Sequence, residues 1–151
     1  MAGFIEEARK GILEGITARM SETADKMVAD MKSTLEADGH IDTGALRDSI
    51  RQTTRLNGDE IETLIYADAQ SEEGAYYAEF IEYGTGAAHG RPGGRVGTWR
   101  YRDRHGQWHT TDGMDASPFI RPAVAAHIGE LEAGVKEELD IEKYARMKSN
   151  D

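Results

Sequence analysis

The sequence predicts an α+β fold, in which a long N-terminal helix and a C-terminal helix pack on a small antiparallel sheet and a β-hairpin protrudes. Apolar residues recur every three or four positions through residues 3–37 and again from about residue 117 to 139, a pattern typical of helices with one buried face. Between them, Asn57-Gly58-Asp59 separates two segments rich in β-branched residues, a strong hairpin signal. A chain of 151 residues corresponds to one domain, so residues 1–151 are expected to form a single unit.

The first helix is expected to cover residues 3–37. Its apolar face comprises Ile5, Ala8, Ile12, Ile16, Met20, Ala24, Met27, Met31 and Leu35. At 1.5 Å per residue it would be about 50 Å long, which is more than a compact chain of this size needs. Part of it is therefore expected to project or to pack on a neighbouring subunit. Two helices with a kink near Met20-Ser21 are the alternative.

The next segments are expected to alternate between short helices and strands. Asp42 or Thr43 is placed to cap a helical turn, and residues 49–56 and 60–67 are expected to form the first hairpin. In Gly74–Tyr83, the residues Tyr76, Tyr77, Phe80 and Ile81 lie at helical spacing, which predicts a short helix with one buried aromatic face. Glu79 and Glu82 would then face solvent, and Gly84 would end the helix in a left-handed conformation.

Residues 84–98 are rich in glycine, which predicts a mobile loop. The segment "TWRYRDRHGQWHTT" then predicts a second hairpin with its turn at residues 103–106. In the favoured register Arg102 faces Gln107 and Tyr101 faces Trp108. That register would place Trp99, Tyr101 and Trp108 on one face, and Arg100, Arg102 and His109 on the other.

The C-terminal helix is expected to begin near Ser117-Pro118, with the serine as cap and the proline at the first helical position. Its apolar stripe comprises Ile120, Val124, Ile128, Leu131, Val135 and Leu139. The tail, residues 140–151, is expected to add a weak last helix.

No pattern in the chain points to catalysis or to a bound cofactor. The spacing of His105 and His109 in a hairpin corresponds to about 13 Å, too far for two ligands of one zinc ion, and His89 is expected to be a solvated loop residue. Glu79 and Glu82 lack an accompanying nucleophile, and nucleotide-binding and hydrolase motifs are missing from the sequence. We therefore expect neither enzymatic activity, nor a metal, nor a cofactor.

Charge is distributed unevenly along the chain. Residues 84–111, called here the basic arm, hold five arginines against Asp103, a net charge of +4, while the whole chain carries −10. The rest of the chain therefore carries −14. We expect the arm to dock on an acidic surface of a neighbouring copy, of a partner protein or of DNA. The expected interface residues are Arg91, Arg95, Trp99, Arg100, Tyr101, Arg102, Arg104 and Trp108. A solvated arginine hairpin is the plainer alternative.

The acidic balance argues against a general nucleic-acid binder, and no apolar run is long enough to span a bilayer. The N-terminal residues do not resemble a signal peptide, and the chain has no cysteine. We therefore expect a protein that resides, or is assembled, inside a cell and has no membrane partner.

Three stretches in order resemble one family. "IDTGALRDSI" carries Asp42, Thr43, Gly44, Leu46 and Arg47. "YAEFIEYGTG" carries Tyr77, Glu82, Gly84 and Thr85, and "ASPFIRPAV" carries Pro118, Phe119, Arg121 and Pro122. These motifs resemble those of the tail-completion and minor tail proteins at the head–tail joint of long-tailed bacteriophages and prophages. The likeness covers about residues 41–126.

The resemblance implies a non-enzymatic virion protein of the tail or neck, present in the host cytoplasm during assembly. Relatives form rings, commonly six-fold, that join the tail tube or tail terminator to the head connector. DNA passes through without sequence-specific binding. Two other hypotheses are a small nucleic-acid-binding module that uses the aromatic and basic hairpin, and an enzyme of phage lysis or a nuclease.

Overall fold

The computed structural model describes residues 2–40, 44–71, 74–103 and 105–148; for residues 144, 147 and 148 it describes the backbone alone. The helices are α1 (Ala2–Ala37), α2 (Ala45–Ser49), α3 (Tyr77–Tyr83), α4 (Ile120–Glu138) and α5 (Ile141–Lys148), with a 3-10 turn at Ala87–His89. The strands are β1 (Ile50–Asn57), β2 (Glu60–Ala67), β3 (Trp99–Arg102) and β4 (Trp108–Thr111). They form two antiparallel sheets of two strands each, which confirms the α+β class.

Helix α1 is continuous through Met20-Ser21, so the kinked alternative is wrong. Its buried residues all lie from Ile16 onward, and none falls within the first 14 described positions. The N-terminal part is nevertheless not isolated, because Arg9 pairs with Asp59 at the tip of the β1–β2 hairpin. The hairpin itself has the expected strands and the expected turn.

The hydrophobic core lies where the C-terminal half of α1 meets the other elements. It comprises Met27, Met31, Leu35, Leu46, Ile50, Ala78, Phe119 and Ala123. Phe119, at the entrance to α4, is completely inaccessible to solvent. Short stretches of α1, α2, α3, α4 and β1 therefore converge on one site, and α3 and α4 meet there.

Gly15 of α1 leaves room for the side chain of Glu138, at the end of α4. A Cβ at this position would lie 2.4 Å from Oε2 of Glu138, a buried carboxylate at the end of α4. Glu138 accepts hydrogen bonds from Lys143 Nζ at 2.9 Å and from Arg19 Nε at 3.3 Å. These bonds lower the pKa of the Glu138 carboxyl, the Lys143 bond most, against the opposing effect of burial.

We expect Gly15→Ala to be about 1–2 kcal/mol less stable than the matched helix-interior variant Gly129→Ala. An added Cβ at Gly129 meets nothing within 4 Å, so that variant should gain up to about 1 kcal/mol of helix propensity. At Gly15 the same gain is offset because Glu138 must leave its partners. Urea unfolding of both variants measures the difference, and equal stabilisation would contradict the close approach.

Candidate functional site

The junction of α3 and α4 is held by one buried carboxylate. Glu82 Oε2 accepts from the backbone N–H groups of Phe119 and Ile120, both at 2.8 Å. Its Oε1 accepts from Arg121 Nε at 2.7 Å and from the Arg121 backbone N–H at 3.2 Å. Helix α4 has no capping bond from the side chain of its own first residues, so Glu82 supplies the cap from another helix.

The electrostatic environment of Glu82 favours its charged form. Burial by itself would raise the pKa of the Glu82 carboxyl, but the N–H donors of α4 and the Arg121 guanidinium outweigh burial and lower it. The side chain is 2% exposed. Glu82 is therefore ionised at neutral pH, and its carboxylate links α3 to the start of α4.

This arrangement corrects two sequence predictions. Glu82 was expected to face solvent but is buried. Of the expected buried face, Tyr76 and Tyr77 are 51% and 41% exposed, whereas Phe80 and Ile81 are half-buried. The physical reason for the burial of Glu82 is the set of free N–H groups at the start of α4, which the two oxygens of its carboxylate satisfy together. Helix α3 also begins at Tyr77 rather than at Gly74.

The start of α4 requires a third correction. The helix begins at Ile120, so Pro118 precedes it and Ser117 does not cap it. The Ser117 hydroxyl instead donates to Asp38 Oδ2 at 2.8 Å, and its N–H donates to the Ile81 carbonyl at 2.8 Å. Pro122 lies in the first turn of α4, where a backbone N–H has no helical partner to lose.

The remaining motif residues have structural positions. Leu46 is buried in the core, and Arg47 pairs with Glu36 and Asp48. Gly44 has a φ of 79° and precedes α2 without a side-chain capping bond. The expected caps Asp42 and Thr43 lie outside the described residues, as does Arg104 of the arm. Tyr77 uses its backbone N–H to reach the Ala69 carbonyl at 3.2 Å.

The base of the basic arm is closed by a short backbone bridge. Thr85 N–H donates to the Met114 carbonyl at 2.9 Å, and Met114 N–H donates to the Thr85 carbonyl at 3.1 Å. Gly84 has a φ of 71°, as expected for the end of α3, but its ψ of −176° is extended rather than left-handed helical. At Gly86 a Cβ would lie 2.0 Å from the Asp112 carbonyl oxygen. The backbones at Gly86 and Asp112 are therefore so close that only glycine fits at position 86.

His89 was expected to be solvated, but it joins the same two segments. Its Nδ1 lies 2.7 Å from Asp115 Oδ1 and its Nε2 lies 3.1 Å from Asp112 Oδ1. Each ring nitrogen faces a carboxylate, an arrangement that only the doubly protonated ring satisfies. The bonds to Asp115 and then to Asp112 raise the pKa of His89 above its ordinary 6.5.

Arg91 also serves the base of the arm. It pairs with the Glu79 carboxylate and donates to the Gly84 carbonyl at 3.2 Å, and its side chain is 23% exposed. Its guanidinium lies 5.5 Å from the centre of the Tyr83 ring, and Arg121 lies 5.1 Å from the same centre. Residues 84–95 thus carry bonded structure that the glycine content alone did not predict. Whether this loop is mobile stays a prediction.

We expect the contacts of His89 with Asp112 and Asp115 to weaken as the pH rises. Because the folded-state pKa is raised, its stabilising contribution is complete below about pH 6.5 and is lost as the pH rises through the folded pKa. Amide hydrogen exchange should show residues 86–90 and 112–115 opening faster above neutral pH. In His89→Gln this pH dependence should disappear. An unchanged pH dependence in His89→Gln would contradict the assignment.

The β3–β4 hairpin forms, but in a register shifted by one residue from the expected one. Tyr101 pairs with His109 and Arg102 pairs with Trp108. Trp108 therefore shares a face with Arg100 and Arg102, and the predicted separation of aromatic from basic side chains is wrong. Arg100 lies 5.0 Å from the Trp108 ring centre, so an arginine and a tryptophan stabilise each other on that face.

Asp103 explains why this register is preferred. Its Oδ1 accepts from the backbone N–H groups of His105 and Gln107, at 2.9 and 2.8 Å, and its Oδ2 lies 2.7 Å from His109 Nε2. The hydrogen bond to His109 and the N–H of Gln107 lower the pKa of the Asp103 carboxyl. The turn is therefore organised around one aspartate, which the pairing of side-chain types did not reveal.

The three other described arginines of the arm form no ion pair within the described part of the chain. Arg95 lies 5.3 Å from the Trp99 ring centre, and Arg102 Nε donates to the Gly106 carbonyl at 2.9 Å. Within the described part of the chain, Arg95, Arg100 and Arg102 contact no carboxylate. Trp108 is 60% exposed beside them. The arm thus presents guanidinium groups that have no carboxylate partner in the described part of the chain, next to aromatic surface, which suits recognition of carboxylates or phosphates.

The comparisons with known proteins add no relative. No family model, no curated protein and no solved structure matches the chain. In the part that the structure describes, no cluster of three potential metal ligands occurs, and no helix is long and apolar enough to cross a membrane.

Proposed function

We propose that this chain is a non-enzymatic structural protein of the head–tail joint of a long-tailed phage. It completes the tail as a ring, commonly six-fold in such proteins, between the tail tube or tail terminator and the head connector. DNA passes through that ring without sequence-specific binding.

One observation carries the proposal: the second and third motif stretches, recognised separately in the sequence, are in direct contact. Glu82 of "YAEFIEYGTG" binds the backbone of Phe119 and both backbone and side chain of Arg121 from "ASPFIRPAV". Leu46 of the first stretch lies in the same core as Phe119. The residues on which the resemblance rests therefore act together, as expected of motifs that define one fold.

The charge distribution also supports a conduit. A body of net charge −14 opposes binding of DNA phosphates, so DNA can slide past it. Head-to-tail contacts between a basic arm and an acidic neighbour close a ring when the rotation between subunits allows it.

Complementation tests the proposal. A phage that lacks this gene should accumulate separate filled heads and tails, and the wild-type chain supplied in the host should restore joined virions. Arg100→Glu/Arg102→Glu should fail to restore them. Joined, infectious particles without the gene would contradict the proposal.

A small nucleic-acid-binding module is the second candidate, favoured by the exposed Trp108 ring beside Arg100. A gel-shift assay with short DNA at physiological salt separates the two. Tight binding lost in Trp108→Ala would favour the module.

A further inference from the structure

We propose that the arm face (Arg100, Arg102 and Trp108) docks on the outward face of strand β2 in a second copy of this chain. The receiving site, called here the acidic strand face, comprises Glu60, Glu62 and Leu64. This inference rests on the proposed function, since it names the surface that each arm reaches in the ring.

The acidic strand face is selected by its unpaired charge. Nearly every carboxylate in the described part of the chain makes an ion pair or hydrogen bond within the molecule. Those that make none are Glu60, Glu62 and Glu132. Of these three, Glu60 and Glu62 lie together, both exposed, on one face of β2. Glu132 stands alone on α4.

The sheet geometry directs these carboxylates away from their own molecule. The opposite face of the hairpin packs on α1, where Gln52 Nε2 bonds to Ser21 and Asp25 and Ile50 enters the core. Successive side chains of a strand alternate between faces, so Glu60, Glu62 and Leu64 point outward together. Leu64 is 50% exposed.

The spacing of the two surfaces matches. Arg100 and Arg102 are two residues apart on β3, as Glu60 and Glu62 are on β2, so each pair is separated by about 6.6 Å along its strand. Two guanidinium groups can therefore meet two carboxylates at once. Next to each pair lies an exposed apolar side chain, Trp108 on the arm and Leu64 on β2.

Two basic residues lie on the same outward face of the hairpin. Arg51 is neutralised by Asp68, which lies 2.6 Å away. Arg55 is the cross-strand partner of Glu62 but forms no ion pair with it. Glu60 and Glu62 therefore outnumber the one arginine of this face that has no carboxylate partner, so the site stays negative. A docked Arg102 would give Glu62 the ion pair that Arg55 does not form.

Matched charge reversals test the docking. Sedimentation velocity of the full chain at low salt should show association at least tenfold weaker for Arg102→Glu and for Glu62→Arg. The matched controls Lys136→Glu and Glu132→Arg, both on the exposed side of α4, change charge equally and should associate like the wild type. A mixture of Arg102→Glu with Glu62→Arg should recover association, because each reversed face then meets its complement. Equal losses in the controls, or no recovery in the mixture, would overturn the proposal.

Cross-linking tests the same contact when association is weak. The natural chain has no cysteine, so single cysteines report on one position each. A short bis-maleimide reagent should join Arg102→Cys to Glu62→Cys at least tenfold faster than Lys136→Cys to Glu132→Cys. Equal yields would overturn the proposal, including for a wild type that sediments as a monomer.

The outcomes separate this proposal from the proposed function. If the charge swap behaves as expected but the wild-type chain does not restore virions, the head–tail role fails and the docking stands. If the chain restores virions but the swap fails, the docking alone is overturned. DNA binding that depends on Arg102 and not on Glu62 would assign the arm to nucleic acid instead.

Discussion

Replacing Glu82 by alanine is expected to lower the free energy of unfolding by about 3 kcal/mol. The variant leaves the Phe119 and Ile120 N–H groups without their acceptor and removes the partner of Arg121. Loss of one member of a buried ion pair costs about 3–5 kcal/mol, and the partly exposed Arg121, which water can solvate, places this case at the lower end. Urea unfolding followed by circular dichroism measures the change.

Glu79→Ala is the matched control on the same helix. Its carboxylate is 54% exposed and pairs with Arg91, so its removal should change stability by about 1 kcal/mol or less.

The stability that Glu82 contributes depends on pH. The pKa of Glu82 is lowered, so its contribution to the free energy of unfolding is complete above its ordinary pKa of 4.5 and is lost only as the pH falls through the lower folded value. A Glu82→Ala protein as stable as Glu79→Ala at pH 7 would show that α4 does not depend on this cap.

Replacing Phe119 by alanine is expected to cost about 3–5 kcal/mol, because the ring is completely buried where α1, α3 and α4 meet. The variant loses the transfer energy of the ring and leaves a cavity that helices on several sides prevent from closing. Thermal and urea unfolding should both show the loss. Binding of a small apolar molecule such as benzene would report the cavity directly.

Tyr76→Ala is the control for Phe119→Ala. It removes an aromatic ring of similar size from a position 51% exposed, so the expected cost is about 1 kcal/mol or less. Comparable losses in the two variants would contradict the placement of Phe119 in the core. They would also weaken the case that Leu46 and the third motif share one core.

Much of the fold could be predicted from local patterns. The apolar period of α1 and the Asn57-Gly58 turn each depend on residues close in sequence, and the structure has both elements. The register of β3–β4 could not be predicted from side-chain types. The prediction separated arginine from tryptophan, whereas Arg100 and Trp108 attract each other and Asp103 organises the turn.

The candidate site divides in the same way. The excess of arginine in residues 84–111 is a property of the sequence, and it led directly to the basic arm. The sequence does not show which of these arginines are available to bind a partner. Arg91 pairs with Glu79, whereas Arg100 and Arg102 contact no carboxylate in the described part of the chain. His89 was missed because its partners Asp112 and Asp115 lie more than 20 positions away.

By itself, the sequence determined that this chain has two main helices, a β-hairpin between them and a basic arm on an acidic body. These features follow from the period of apolar residues, from turn chemistry and from charge composition, all of which act locally. Only the tertiary structure decided that Glu82 is a buried helix cap rather than a solvated acid. The N–H groups at the start of α4 have no acceptor within the helix. Phe119 is 37 residues away from Glu82 along the chain, and only folding brings the carboxylate to these N–H groups.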